Sequence, residues 1–356
     1  MTPNDAIISM LLLGALAALV GFAWAPGLLR LLQKHKCWKK QVRTVAPDGS
    51  PTPIFSALHK EREVSTPRMA GVLIWVTTFT LALIFAFIAP RTNWPFLKNL
   101  NFLSRGETWI PLFTLVTASI LGLLDDLLVV AHRGEAHKGG GIKFRHRVLV
   151  VFAIALIGAW WFHYKLGWDA IHLLFDGEYT LGFWYVPLFI AVTLGFFSSS
   201  VVDGLDGLAG GIFAIDFATF GAIAFTRHQY ELAAFCAVIA GTLMAFLWYN
   251  IPPAKFYMGE TGIMGLTTTL SVVAFLTDSV LLLPLIGFTL IIEAGSVALQ
   301  LASKRLRHGK KIFLVAPLHH HFEAKGWTAP QVTMRFWLIT AITNVLAFVV
   351  VLLEKR

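Results

Sequence analysis

The sequence predicts an all-α polytopic membrane protein, on three observations. Of its 356 residues 56% are hydrophobic and only 14% charged, where an ordinary soluble domain has about a quarter charged. The apolar material extends from Ile7 to Leu353, with a mean hydropathy of +0.70. It also comes in runs of the length that a hydrocarbon core of ~30 Å asks of a helix, roughly 20 residues. A single integral-membrane domain over 1–356 is therefore expected, with no room for a soluble domain between the runs.

About ten segments qualify as transmembrane helices: 6–29, 69–89, 108–124, 148–163, 184–202, 208–226, 232–249, 262–277, 279–302 and 333–353. The first has no basic region ahead of it and no small-residue cleavage site, so it reads as a retained span. Ten spans put both termini on one side. The loops 30–68, 125–147 and 303–332, with Lys255 and Arg335, carry most of the 29 basic residues. The positive-inside rule makes that side cytoplasmic and both termini periplasmic. The net charge of +9 suits either anionic lipid or a phosphorylated substrate. Cys37 and Cys236 form no metal or disulfide spacing.

Four polar features fall on the cytoplasmic side. Asp125 and Asp126 close the run LVTASILGLLDD. Carboxylates at the negative end of a helix dipole are disfavoured by ~0.3–1 kcal/mol each, so a cation is expected beside them. In VVDGLDGLAGG, 201–211, Asp203 and Asp206 share a face if the turn is helical; one of them could be a helix N-cap, but a cap needs only one acid. NIPPAKFYMGETG, 250–262, leaves the membrane through Pro252 and Pro253 and sets Glu260 at the start of the next helix. Tyr257 there suits either base stacking or an aromatic belt. In APLHHHFEAKG, 316–326, the adjacent His319, His320 and His321 point different ways, which favours phosphate and substrate contacts over one shared metal ion. Carboxylates with histidines and many Lys and Arg are the inventory of Mg²⁺-assisted phosphoryl transfer. A transporter would place ionisable groups near the midplane or show internal repeats, and neither is read here.

These motifs resemble the polyprenyl-phosphate N-acetylhexosamine-1-phosphate transferases. The resemblance runs from about Thr66 to Arg335 through STPRMAG (65–71), GLLDD (122–126), DGLDGLAGG (203–211), LWYN and MGETG (247–262) and APLHHHFE (316–323). The triple histidine followed by an acid points to the muramoyl-pentapeptide branch. The resemblance implies transfer of phospho-N-acetylmuramoyl-pentapeptide from its UDP carrier to undecaprenyl phosphate, giving lipid I and UMP. It also implies a need for Mg²⁺, a homodimer, and a multi-pass bacterial plasma (inner) membrane protein with a cytoplasmic active site; no nucleic-acid partner is expected.

By the same resemblance, Asp125 matches the acid assigned to the lipid phosphate, as a base or as a positioning group, and Asp126 its neighbour. Asp203 and Asp206 match acids of the nucleotide-sugar site, Asn250 a uridine-side residue, and His319, His320, His321 and Gln300 substrate-site residues. His321 is counted with the five acids as catalytic. Glu260 stands for the family's metal-binding aspartate, with Asp203 and Asp125 as further Mg²⁺ ligands, and Tyr257 for its base-stacking phenylalanine. Ser200 replaces an asparagine and Val129 a basic residue. Glu63 replaces a lysine, a charge that Arg68 can restore from five positions on. Arg133, Arg145 and Arg147 keep the positive charge of family lysines.

Overall fold

The computed structural model describes residues 2–40, 64–103, 106–131 and 141–354. Among these, ten helices of 14 residues or more follow in chain order: α1 (Pro3–Lys34), α2 (Val72–Ile88), α3 (Gly106–Val130), α4 (Phe144–Trp160), α5 (Tyr185–Ser198), α6 (Leu208–Thr226), α7 (Tyr230–Asn250), α8 (Glu260–Leu276), α9 (Phe288–Leu306) and α10 (Ala329–Glu354). Eight of them, some extended by adjoining turns, are long and apolar enough to cross a membrane; α9 with the segment before it counts as a ninth when taken as one span. The chain is an all-α polytopic membrane protein.

Elementary chemistry accounts for the frame. At the start of α1, Asp5 N–H donates to Thr2 Oγ1 at 3.1 Å and Thr2 N–H to Asp5 Oδ2 at 3.3 Å, so two orphan donors are met. Bare glycines then let helices touch. A Cβ on Gly241 would strike the carbonyl of Gly14, bringing α1 onto α7, and one on Gly122 would strike Glu260, bringing α3 onto α8. From Thr261 to Leu276 every residue of α8 is buried, as a helix apolar on all sides should be. Its hydroxyls turn back on the helix, Thr267 Oγ1 donating to the Ile263 carbonyl at 2.8 Å and Thr268 Oγ1 to that of Met264 at 2.7 Å.

Two elements differ from the sequence reading. The expected span 279–302 is not straight: Val280–Ile286 and α9 meet at 80° around Gly287. A break in a membrane frees backbone carbonyls, and here Asn344 of α10 donates to the Ile286 carbonyl at 3.0 Å while also donating to Asp216 Oδ1 at 3.0 Å. Asp216 is thus an ionisable residue buried deep within α6, which the sequence reading passed over. Between α4 and α5, Ala170–Leu173 (β1) and Gly177–Thr180 (β2) pair as an antiparallel hairpin, Ile171 opposite Tyr179. Phe175, at φ +66°, is left-handed within the turn, and Gly177, at φ +80°, opens β2 where only glycine adopts that φ freely.

Candidate active site

Five chain segments, 67–71, 125–126, 142–147, 203–207 and 250–261, meet at one end of the bundle. Helix α3 continues beyond the expected boundary at 124 to Val130, so Asp125 and Asp126 sit within it and are fully buried. Buried carboxylates need partners. Asp125 Oδ1 accepts from Ile142 N–H at 2.6 Å and Asp126 Oδ2 from Thr261 N–H at 3.0 Å. The expected cations are present: Arg68 Nε is 3.5 Å from Asp126 Oδ1, and an Arg147 guanidinium nitrogen is 3.0 Å from Glu260 Oε1 and 3.9 Å from Asp125 Oδ2.

The stretch 203–207 is a turn, not a helix, and α6 begins after Gly207 with no side-chain cap. Neither acid of the DGLDG motif is therefore an N-cap; both reach the segment leading to α8. Asp203 Oδ2 accepts from Gly259 N–H at 3.3 Å and Asp206 Oδ2 from Ala254 N–H at 3.0 Å. Asn250 joins the two turns, accepting from Gly207 N–H at 3.1 Å and donating to the Phe256 carbonyl at 2.9 Å. Backbone bonds then fasten this segment to 67–71: Tyr257 N–H donates to the Pro67 carbonyl at 2.7 Å and Gly71 N–H to that of Met258 at 2.9 Å. The Tyr257 ring is left half-buried. At Gly259, φ is +73° and a Cβ would strike Asp126, so only glycine fits.

Burial and charge tune the group. Burial pushes the Asp203 carboxyl up to about 6, with Arg68 acting against the rise and Glu260 adding to it. Asp125 Oδ2, Asp126 Oδ1 and Glu260 Oε2 are buried without hydrogen-bond partners. Such oxygens suit a hard cation in donor chemistry. Among the described residues, however, no three His, Cys, Asp or Glu side chains stand in metal-binding geometry, and the nearest counter-charges are Arg68 and Arg147.

The triple histidine lies on the short helix Leu318–Ala324. Against the expectation that all three point apart, the His319 and His320 rings lie together, centroids 4.1 Å apart, with both Nε2 atoms beside Gly204. Their Nδ1 atoms take different partners, His319 Nδ1 lying 2.8 Å from Glu293 Oε2 and His320 Nδ1 2.7 Å from Glu323 Oε2, while His321 Nδ1 accepts from Leu314 N–H at 3.1 Å. Burial, with Lys325 adding, pushes the His321 imidazole below its ordinary value. Gln300 is engaged with the backbone, donating to the Phe313 carbonyl at 2.9 Å and accepting from Ile312 and Phe313 N–H at 3.0 Å each. It supports the segment leading to the histidines. Ser200 lies in the turn Ser199–Val202 just before Asp203, Arg145 is exposed, and Val129 is buried. Arg133 and Glu63 lie outside the described residues.

The sequence reading missed Glu293, which is fully buried and bound to His319. A signal was available: Glu293, Ser296, Gln300 and Ser303 recur at helical spacing on one buried face of α9.

Residues 108–278 of this helical bundle match the family described as Glycosyl transferase family 4, which makes the protein a membrane-embedded transferase of the glycosyl type. The chain is 32% identical over 338 residues to the phospho-N-acetylmuramoyl-pentapeptide-transferase of Chloroflexus aurantiacus, covering 91% of this chain and 83% of that one. It is 36% identical over 290 residues to that of Levilactobacillus brevis, covering 80% and 85%. For Gluconacetobacter diazotrophicus the figures are 33% over 328 residues, 85% and 84%. The chain belongs to the phospho-N-acetylmuramoyl-pentapeptide-transferase family.

Proposed function

We propose that the protein transfers phospho-N-acetylmuramoyl-pentapeptide from UDP-N-acetylmuramoyl-pentapeptide to undecaprenyl phosphate, giving lipid I and UMP in peptidoglycan synthesis. The observation that carries this reading is the convergence of Asp125, Asp126, Asp203 and Glu260 with Arg68 and Arg147 at one end of the bundle. That end also carries Lys34, Lys143, Lys255, Lys304 and Arg335, which supports a cytoplasmic site in a bacterial plasma membrane and termini on the other side. The protein works as a homodimer in this reading.

An oxygen of the lipid phosphate attacks the phosphorus that bears the sugar; the bond from that phosphorus to the uridylyl phosphate breaks, and UMP leaves. The lipid phosphate is ionised at neutral pH, so the task of Asp125 is to orient the nucleophile rather than to deprotonate it. In this reading Arg147 and Arg68 meet pyrophosphate oxygens and Tyr257 stacks on uracil. Glu260, Asp125 and Asp203 are the residues to hold Mg²⁺, which when bound neutralises charge on the pyrophosphate.

The test is UMP release by purified protein in detergent with undecaprenyl phosphate and Mg²⁺, offering UDP-N-acetylmuramoyl-pentapeptide or UDP-N-acetylglucosamine. Release that needs lipid and metal and only the muramoyl donor is the expected result. Turnover of the other donor alone assigns the sister reaction. Donor binding without turnover makes the protein a binding homologue, with Ser200, Val129 and Glu63 as the departures to revert.

A further inference from the structure

His319 is fully buried, and both oxygens of Glu293 hold it: Oε1 accepts from its backbone N–H at 3.1 Å and Oε2 lies 2.8 Å from its Nδ1. A carboxylate accepts, so Nδ1 carries the proton and Nε2 is the nitrogen left for another group. That Nε2 is buried without a hydrogen-bond partner. It lies against Gly204, where a Cβ would collide with it, and Gly204 follows Asp203, whose carboxylate reaches Gly259 beside Glu260. The neighbour repeats the pattern, with His320 Nδ1 at 2.7 Å from Glu323 Oε2 and its Nε2 at 3.2 Å from the same would-be Cβ. Two imidazoles, each tied through Nδ1 to a carboxylate, thus bring Nε2 to one point on the turn that carries Asp203.

We infer that Glu293 is a positioning residue of the site: it fixes the tautomer and aim of His319 so that Nε2 meets a polar group of the nucleotide-sugar donor at Gly204. The inference rests on the transferase reading. Its chemistry is that of a carboxylate orienting an imidazole from behind, which commonly changes activity by roughly 10–100-fold when removed. The bend at Gly287 gives Glu293 its place, because it turns α9 by 80° from the segment before it.

The experiment compares Glu293→Gln, Glu293→Asp and His319→Ala in the full-length protein. Glutamine keeps an oxygen for the backbone N–H but sets an NH₂ against Nδ1, which drives the ring proton to Nε2. The expected result is a roughly 10–100-fold lower kcat for Glu293→Gln, little change in KM for undecaprenyl phosphate and partial rescue by Glu293→Asp. No further loss is expected when Glu293→Gln is added to His319→Ala. Nitrogen-15 NMR of labelled histidine should show the Nδ1–H tautomer at His319 in the wild type and the other tautomer in Glu293→Gln. A full loss in the His319→Ala background, or an unchanged tautomer, overturns the inference and leaves Glu293 a structural anchor. If the wild type releases no UMP with any donor, the transferase reading has failed. The tautomer and the equilibrium binding of UDP-N-acetylmuramoyl-pentapeptide to wild type and Glu293→Asp then still decide the role of Glu293.

Discussion

The bundle carries two clusters that set arginine against acids, one at each end of α6, α8 and α10, and they are built differently. At the far end Arg227 lies 3.9 Å from Asp278 Oδ2 and 3.8 Å from Glu354 Oε2, and donates to the Asp278 carbonyl at 3.3 Å. Asp278 also accepts His172 N–H at 3.2 Å, which pins the β-hairpin, and its side chain is 40% exposed. At the near end Asp125 and Asp126 are fully buried, and three carboxylate oxygens have no hydrogen-bond partner among the described residues, against one, Glu354 Oε1, at the far end. Glycines separate the clusters further. Gly204 abuts His319 and Gly259 abuts Asp126, whereas a Cβ on Gly177 of the hairpin would meet nothing within 4 Å. Ion pairs are common to both clusters; what sets the near end apart is the number of fully buried carboxylates packed around backbone that only glycine can supply.

The largest test of this contrast neutralises one acid in each cluster. Asp126→Asn should lower kcat/KM for UMP release by ~10³-fold, the scale of losing one electrostatic group at a reacting centre. Asp278→Asn should stay within about twofold, since a change remote from the chemistry acts on stability alone. Equal losses would erase the distinction between the two ends. A smaller effect is expected from the glycines. Gly259→Ala forces a methyl onto Asp126 and should cost on the order of 10²-fold in activity, as a displacement of about 1 Å does. Gly177→Ala, at φ +80° with open space around it, should cost only ~1 kcal/mol in thermal stability with activity intact.

What the sequence disclosed follows from where the information sits. The spans were legible because lipid demands long apolar runs, and the acids at 125, 126, 203, 206 and 260 because such residues interrupt those runs or flank them. A cation beside the paired acids was legible from their place at the end of a helix, and Arg68 stands 3.5 Å from Asp126. Other features depend on partners distant in sequence. The break at Gly287 hides in the continuous run LLLPLIGFTLII, because its freed carbonyl is met by Asn344, 58 positions away. Glu293 looked like one polar residue in a span until His319, 26 positions on, came to lie against it. The bonds of Gln300 to the backbone of residues 312–313 were not legible either, since they rest on a local fold that hydropathy does not encode. The hairpin is four residues per strand, too short for its alternation to stand out.

The smallest effect expected is also the most specific to electrostatics. Asp203 has its carboxyl pushed from the ordinary 3.8 to about 6, burial raising it and Arg68 opposing the rise. Because the folded value is the higher one, the folded protein binds the extra proton between these pH values, and this group withdraws stability as pH rises through them. Activity takes the opposite sign. The ionised carboxylate is the form that accepts Gly259 N–H and carries charge toward the site, so UMP release should fall as pH drops through about 6. Arg68→Ala removes the charge that holds the carboxyl down and should move that acid limb to higher pH. Arg227→Ala, which removes an equal charge at the far end, should leave the limb where it is. A limb that moves in both variants would mean that the two clusters are coupled through net charge, and one that moves in neither would mean that Arg68 serves Asp126 alone.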